Sequence, residues 1–267
     1  MKLRILDANK AVVGEMKLPQ QFEEEFRPDM IHRAVLAIQS HYRQPYGASH
    51  LAGKRASAKL SRRRRDYRGS YGFGISRVPR KIMSRRGTRM NWVGAFAPGM
   101  VGGRRAHPPK SEKIQHKKIN EKERIKAIRS AISATVSKDV VAKRGHIIPN
   151  DFPFLIDEKF EHISKTKDIF DSLVRLGFAE ELSRVEQKKI RPGKGKSRGR
   201  KYKKKKGPLI VVSSKQKLNA ASNIPGIDVV DVKSLNAELL APGGNPGRLT
   251  LWTAAAINIM EKEQLYK

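Results

Sequence analysis

The chain has 267 residues, and its 57 lysines and arginines against 25 aspartates and glutamates give a formal net charge of +32. Such a charge attracts polyanions and opposes its own concentration in one compact body. The absence of cysteine excludes disulfides and thiolate metal sites, and no apolar stretch approaches the roughly 20 residues of a membrane span. We therefore expect a soluble, cytoplasmic protein with a polyanionic partner, nucleic acid being the leading candidate.

Most of the excess charge falls in two segments. Residues 45–110 hold 17 basic residues and one acid, Asp66, and residues 188–206 hold 12 basic residues and no acid. Together they carry 28 of the 32 net charges, so the rest of the chain is nearly balanced, as in an ordinary soluble domain. We predict one globular domain, residues 1–44 and 111–267, with 45–110 inserted as a basic arm and 188–206 as a second basic loop.

The first elements are predicted to be a hairpin and a helix. Apolar residues around Leu3–Ile5 and Val12–Val13 flank the turn at residues 7–10, which is typical of a short hairpin. A helix is predicted over about residues 29–43, and Pro28 and Asp29 suit its first turn. The residues that mark its apolar stripe are Ile31, Val35, Ile38 and Tyr42.

The arm has neither helical nor strand periodicity. It contains 10 of the 21 glycines and 5 of the 14 prolines, so we expect it to be disordered or ordered only by an external partner. Its aromatic residues suit base stacking beside arginines that hold phosphates. They are Tyr46, Tyr67, Tyr71, Phe73, Trp92 and Phe96.

Alternating helices and short apolar strands are predicted after the arm. Asn120 is expected to cap a helix while Glu123 bonds back to it. Strands are predicted at residues 154–156, 209–212, 227–232 and 249–252. Helices are predicted at residues 125–136, 169–176 and 216–221, and after a cap at Thr253. This order implies βαβ units, and hence an α/β fold with a mostly parallel sheet flanked by helices, a Rossmann-like three-layer arrangement.

Candidate RNA contacts lie in both basic segments. The run Arg62–Arg65 alone is equally typical of a solvated or nuclear-import patch, but the glycines and aromatics around it favour RNA. In the arm the candidates are Lys54, Arg55, Lys59, Arg62, Arg63, Arg64, Arg65, Tyr67, Arg68, Trp92, Arg104 and Arg105. The loop could instead be a flexible tail, but predicted elements on both sides pin it, and its cations suit phosphate contacts. The loop candidates are Lys194, Lys196, Arg198, Arg200, Lys201 and Lys203.

No catalytic or metal-binding pattern emerges. Gly195-Lys196-Ser197 ends like a phosphate-binding loop, but the required earlier glycine is Ile190. The seven histidines have no metal-ligand spacing, so we expect each to be a surface or RNA-facing group. An RNA-modifying or nucleotide-dependent enzyme remains the alternative, because the fold class alone hosts many functions.

Several sequence blocks, taken in order, resemble one known family. They are residues 102–110 (GGRRAHPPK), 120–124 (NEKER), 127–131 (AIRSA), 144–146 (RGH), 197–202 (SRGRKY) and 240–250 (LAPGGNPGRLT). Over nearly its whole length the chain is similar to the fourth protein of the large ribosomal subunit, in its archaeal and eukaryotic branch.

The resemblance implies a non-enzymatic constituent of the cytoplasmic large subunit that binds large-subunit rRNA, without a membrane partner. No cofactor is implied beyond Mg²⁺ or other cations held by the rRNA. The arm tip, near residues 72–95, would help the twenty-second protein form the constriction of the exit tunnel, where it would meet the nascent peptide. The implied tip residues are Arg77, Arg80, Arg85, Arg86 and Arg89. Some bacterial family members also bind their own messenger RNA, which remains open as an additional role.

Overall fold

The computed structural model of the chain describes residues 1–267 except 56, 57, 59, 61, 66–69, 88 and 217. It divides into two units. Met1–Tyr42 with His116–Lys267 form the α/β body, and Arg43–Gln115 form the second unit.

The strands, in chain order, are β1 (Lys2–Leu6), β2 (Val12–Lys17), β3 (Arg80–Arg86), β4 (Arg89–Gly94), β5 (Leu155–Ile156), β6 (Lys189–Ile190), β7 (Tyr202–Lys203), β8 (Leu209–Val212), β9 (Asp228–Asp231) and β10 (Thr250–Thr253). The α-helices are α1 (Pro28–His41), α2 (Glu121–Val136), α3 (Lys138–Lys143), α4 (Thr166–Leu173), α5 (Ala179–Glu186), α6 (Ala237–Leu240) and α7 (Ala254–Lys262). A π-helical turn, Val174–Phe178, joins α4 to α5.

The body is built on a six-stranded sheet in the order β2-β1-β5-β10-β8-β9. The β1–β2 pair at one edge is antiparallel, whereas the other pairings within the sheet are parallel, so the sheet is mixed. All four residues of β8 are fully buried, because helices cover both faces and a parallel strand in that position needs apolar side chains on both sides.

Alternate residues of β8 enter two separate cores. Leu209 and Val211 pack with residues of α1, α2, α6 and α7, whereas Ile210 and Val212 pack with residues of α4 and α5. Each fully buried aliphatic side chain stabilises the fold by about 1.5–3 kcal/mol. The α/β class and the helices on both faces are thus confirmed.

The predicted N-terminal hairpin, first helix and last helix are also confirmed. Asp7 N donates to Ala11 O at 2.9 Å across the hairpin turn. At the start of α7, Thr253 Oγ1 accepts a hydrogen bond from Ala256 N at 3.3 Å, as a capping threonine should.

Two local predictions are wrong. Asn120 precedes α2 without a side-chain capping bond, and Glu123, expected to bond back to it, instead accepts from Arg33 Nη1 at 2.9 Å. The α-helix predicted at residues 216–221 is a 3₁₀ turn, Asn219–Asn223, with Lys217 outside the described residues. Ile224, the residue after the turn, is extended, as expected for a residue that precedes proline, here Pro225.

The two body ends that flank residues 43–115 lie close together. Ser40 Oγ accepts from Lys117 N at 2.8 Å, and the rings of His41 and His116 stack with centroids 4.7 Å apart. The body therefore closes on itself without needing the intervening 43–115 segment as a bridge.

Replacing residues 43–115 by a Gly-Ser linker of about four residues, long enough for ends held this close, should leave a body that unfolds cooperatively. Both apolar cores lie in the body and would remain intact. Urea unfolding followed by circular dichroism, with the full chain as control, measures this. A broad transition without cooperativity in the shortened chain would contradict the division into units.

Candidate nucleic-acid interface

The centre of the 43–115 unit is an antiparallel hairpin. β3 and β4 pair from Arg80 opposite Gly94 to Arg86 opposite Arg89, and Gly87 provides the positive φ of 59° at the turn. Our expectation that this segment lacks regular structure is therefore wrong for these residues. Most hairpin side chains are exposed, so the sequence does not show the apolar alternation by which a half-buried strand is recognised.

Arginines lie over aromatic rings in this unit. The guanidinium carbon of Arg77 is 4.7 Å from the Tyr71 ring centroid and that of Arg64 is 5.4 Å from the same ring. Arg80 lies 5.2 Å from the Trp92 ring centroid. These distances are within cation–π range. Tyr71 is still 40% and Trp92 still 42% exposed, so each ring keeps open surface.

The arginines of this unit have no described carboxylate partner. Glu112 is the only described acid of the segment, and it lies 3.8 Å from His50 Nε2. The arginine contacts with protein oxygens are made to the backbone: Arg80 Nη1 donates to Val78 O at 3.3 Å, and Arg85 Nε donates to Gly87 O at 3.0 Å. Guanidinium groups in this state can take phosphate oxygens from outside the chain.

Most predicted arm contacts are exposed. The exposed ones are Lys54, Arg55, Arg62, Arg63, Arg64, Arg65, Trp92 and Arg105. Arg104 is half-buried next to Gly53, where an added Cβ would lie 2.5 Å from the Arg104 Cβ. Lys59, Tyr67 and Arg68 lie outside the described residues.

The structure separates the predicted tip arginines into two groups. Arg85, Arg86 and Arg89 are exposed beside the hairpin turn. Arg77 and Arg80, with their rings, lie at the opposite end of the hairpin. The turn group is therefore exposed to a partner, whereas Arg80 packs on Trp92 at the hairpin base and Arg77 packs on Tyr71 in the segment before β3.

The loop at residues 188–206 is a small hairpin with exposed cations. β6 and β7 pair antiparallel, and Arg191 N donates to Lys201 O at 2.8 Å. Gly199 turns the chain with a φ of 74°. The six predicted contact residues are all exposed: Lys194, Lys196, Arg198, Arg200, Lys201 and Lys203.

The carboxyl edge of the parallel strands is filled by a buried acid. Glu161, with 0% exposure, accepts hydrogen bonds from Ser213 N at 2.9 Å and from Thr253 Oγ1 at 2.6 Å. Sheets of this class bind nucleotides at that edge, where a carboxylate repels phosphates. The nucleotide-dependent alternative thus gains no support from this edge of the sheet.

The amino edge of the sheet holds a fully buried arginine that sequence analysis missed. Arg248 donates from Nε to Gly207 O at 2.9 Å and from Nη2 to Asp228 Oδ2 at 2.6 Å. Burial lowers the pKa of Arg248, and Asp228 opposes that effect. Asp228 also pairs with Lys206 at 3.0 Å. A sequence cannot indicate this burial, since Arg248 stands between a glycine and an apolar strand like any loop arginine.

His146 is buried, so its predicted place on the surface is wrong. Its Nδ1–H donates to Glu181 Oε1 at 2.7 Å, and the Glu181 carboxylate also accepts from Ile147 N at 3.1 Å and from Arg184 Nε at 2.7 Å. Burial by itself would raise the pKa of Glu181, but these bonds outweigh it and the pKa lies below its usual value. Glu181 and Arg184 are one helical turn apart in α5, the one sequence signal of this cluster.

Arg144 is the least compensated cation near this edge. Its Nη2 donates to Pro242 O at 2.9 Å, while Nη1 is buried without a hydrogen-bond partner among the described residues. Burial, with repulsion from Arg248 and Arg184, lowers the pKa of Arg144 to about 10.

The described residues contain neither a candidate metal site nor a candidate membrane-spanning helix. No group of three or more histidine, aspartate or glutamate side chains there could hold a metal ion. No helix in the same part of the chain is long and apolar enough to cross a membrane.

Comparisons with known proteins give one consistent result. The sequence model of the ribosomal protein L4/L1 family matches residues 16–263. The large ribosomal subunit protein uL4 of Nanoarchaeum equitans is 49% identical over 268 residues, covering 100% of both chains. The uL4 protein of Archaeoglobus fulgidus is 44% identical and covers 97% of this chain and 98% of its own.

Glu181→Gln should lower the free energy of unfolding near neutral pH and flatten its acid dependence. Because the folded-state pKa of Glu181 is lowered, its stabilisation is complete above the usual value of 4.5 and is lost as pH falls through the folded-state pKa. Urea unfolding at a series of pH values measures this difference. Glu180→Gln, at the exposed neighbour, is the matched control, and equal acid dependence in both variants would contradict the assignment.

Proposed function

We propose that the two basic segments of this chain bind the rRNA of the large ribosomal subunit. The chain belongs to the ribosomal protein L4/L1 family. It is therefore a structural constituent of that subunit and not an enzyme. The basic arm, residues 45–110, and the basic loop, residues 188–206, are the two surfaces. Their arginines without carboxylate partners are the single observation that carries the proposal.

Electrostatics supports this assignment. Cations that neutralise phosphates release condensed counterions, and this release supplies most of the sequence-independent affinity. Arginines suit folded RNA because their planar fork grips phosphates and also stacks on rings, as the pairs of Arg77 with Tyr71 and Arg80 with Trp92 already do. The arm combines both modes, whereas the lysine-rich loop favours phosphate contacts alone.

The hairpin turn is our candidate for the part that reaches the peptide exit tunnel. Arg85, Arg86 and Arg89 are exposed there and project from a backbone fixed by the β3–β4 ladder. In this proposal Arg80, stacked on Trp92, stabilises the hairpin base. The turn would border the tunnel constriction beside the twenty-second large-subunit protein, and so meet the nascent peptide.

Replacing Arg62, Arg63, Arg64 and Arg65 together by glutamine should weaken binding to transcribed large-subunit rRNA and reduce its salt dependence. The slope of log K against log salt should fall by about 3, since each lost phosphate contact removes roughly 0.7 to 0.9. Filter binding at several salt concentrations measures both quantities.

The matched control removes four exposed lysines from the body instead: Lys122, Lys159, Lys165 and Lys167. That variant loses the same formal charge and should keep the slope nearly unchanged. Equal slopes for the two variants would mean that only net charge matters, and would remove the arm as a defined RNA-binding surface.

A photocrosslinking residue at Arg86 should react with a stalled nascent peptide in purified ribosomes, because that side chain is exposed at the hairpin turn. The same residue at Arg55, exposed elsewhere in the arm, serves as the control and should react with rRNA only. Reaction of position 86 with rRNA alone would remove the tunnel assignment while leaving RNA binding intact.

A further inference from the structure

The basic loop at residues 188–206 is tied at its base by side chains of the body. Arg184 lies in the last turn of α5, just before the loop begins, and its Nη2 donates to the carbonyl oxygen of Lys206 at 3.1 Å, where the loop ends. One guanidinium thus connects the two ends of a segment that contains 12 basic residues and no acid.

Arg184 is itself held in a fixed orientation. Its Nε donates to Glu181 Oε2 at 2.7 Å and its Nη2 to Glu181 Oε1 at 2.6 Å, a two-point contact that sets the plane of the guanidinium. Glu181 is 0% exposed and is fixed in turn by His146 Nδ1 at 2.7 Å and by Ile147 N at 3.1 Å. These bonds leave Arg184 little freedom to leave the Lys206 carbonyl.

A second buried arginine secures the residue after the loop. Arg248 donates to Gly207 O at 2.9 Å and pairs with Asp228, which also pairs with Lys206. The backbone of Gly207 is also confined, because an added Cβ there would lie 2.9 Å from Gly226 O. The loop exit is therefore fixed at two successive residues.

We propose that Arg184 is a positioning residue, held by Glu181 and His146, that fixes the direction of the basic loop so that its cations meet RNA as one preformed set. The inference rests on the proposed RNA binding of the loop. Arg184 does not touch RNA in this proposal. Its side chain is 18% exposed, and its Nε and Nη2 donate to Glu181 and the Lys206 backbone.

The physical reason is the entropic cost of ordering the basic loop when it binds RNA. A loop rich in glycine and like charges spreads over many arrangements when one end is released, and only a fraction of them presents the cations correctly. The apparent dissociation constant rises in inverse proportion to that fraction. The number of phosphates neutralised in the bound state stays the same, so affinity should change without a change in salt dependence.

The experiment compares full-length chains binding transcribed large-subunit rRNA at several salt concentrations. Arg184→Gln should raise the dissociation constant by about tenfold, as expected if about one-tenth of the loop arrangements are competent, with the salt slope of wild type. Arg175→Gln is the matched control. Arg175 lies in the π-helical turn after α4 and is hydrogen-bonded to Asn9 at 2.6 Å, but it makes no bond to the loop, so its variant should bind like wild type.

A second set of variants, with fewer cations in the loop, distinguishes a positioning role of Arg184 from a direct contact of Arg184 with RNA. With Lys194, Lys196, Arg198 and Arg200 changed together to glutamine, the loop has lost four of its 12 cations, and adding Arg184→Gln should lower affinity by a smaller factor than it does in the wild-type chain. A salt slope reduced by Arg184→Gln in the wild-type background, or an equal loss of affinity in both backgrounds, would overturn the proposal. So would binding of Arg184→Gln equal to that of Arg175→Gln.

If the Arg184→Gln chain does not fold, Arg184→Lys tests the proposal in its place. Lysine retains the charge but cannot bond Glu181 at two points and also reach Lys206, so it should show the same weakened binding with an unchanged slope. Wild-type affinity in a folded Arg184→Lys chain would overturn the proposal. Failure of the wild-type chain to bind this RNA would instead count against the proposed function.

Discussion

Electrostatic repulsion between cations is the constraint on which the organisation of this chain depends. A compact body tolerates few uncompensated charges, since burying an ion without a partner costs several kcal/mol. The body therefore has nearly balanced charge and builds its sheet from strands such as Leu209–Val212, which are buried on both faces. The excess cations are left to two hairpin-bearing segments, where most of the described arginines and lysines are exposed and some arginines bond backbone oxygens or stack on rings.

At the amino edge of the sheet the body pairs buried or half-buried arginines with acids. There Arg248 and Arg184 are matched by Asp228 and Glu181, and both arginines also take up backbone carbonyls at the exit of the basic loop. These ion pairs would be weak evidence of stability alone, because desolvation offsets much of their attraction. Their geometry suggests another use, since they define where a highly charged loop leaves the fold. The opposite edge is closed by Glu161, which is consistent with a structural rather than catalytic protein.

The sequence predicted well what depends on periodic burial. The β8 strand and helices α1, α2 and α4 follow from apolar spacing, since each faces one or both cores. The prediction failed where a distant partner or a proline decides: Glu123 pairs with Arg33 instead of Asn120, and the expected helix at residues 216–221 is a 3₁₀ turn that ends where Ile224 precedes Pro225. It also missed the β3–β4 hairpin, whose exposed side chains show no alternation.

The sequence by itself determined the charge segregation and the α/β class, because composition and spacing report directly on burial and solvation, and its ordered sequence blocks indicated the family. Only the tertiary structure decided that His146 is buried against Glu181, that Arg248 is fully buried against Asp228, and that Arg184 joins the two ends of the basic loop. These residues are 35, 20 and 22 positions from their partners. No local pattern records such pairings, since they exist only after the parallel strands bring the loop ends to one edge of the sheet.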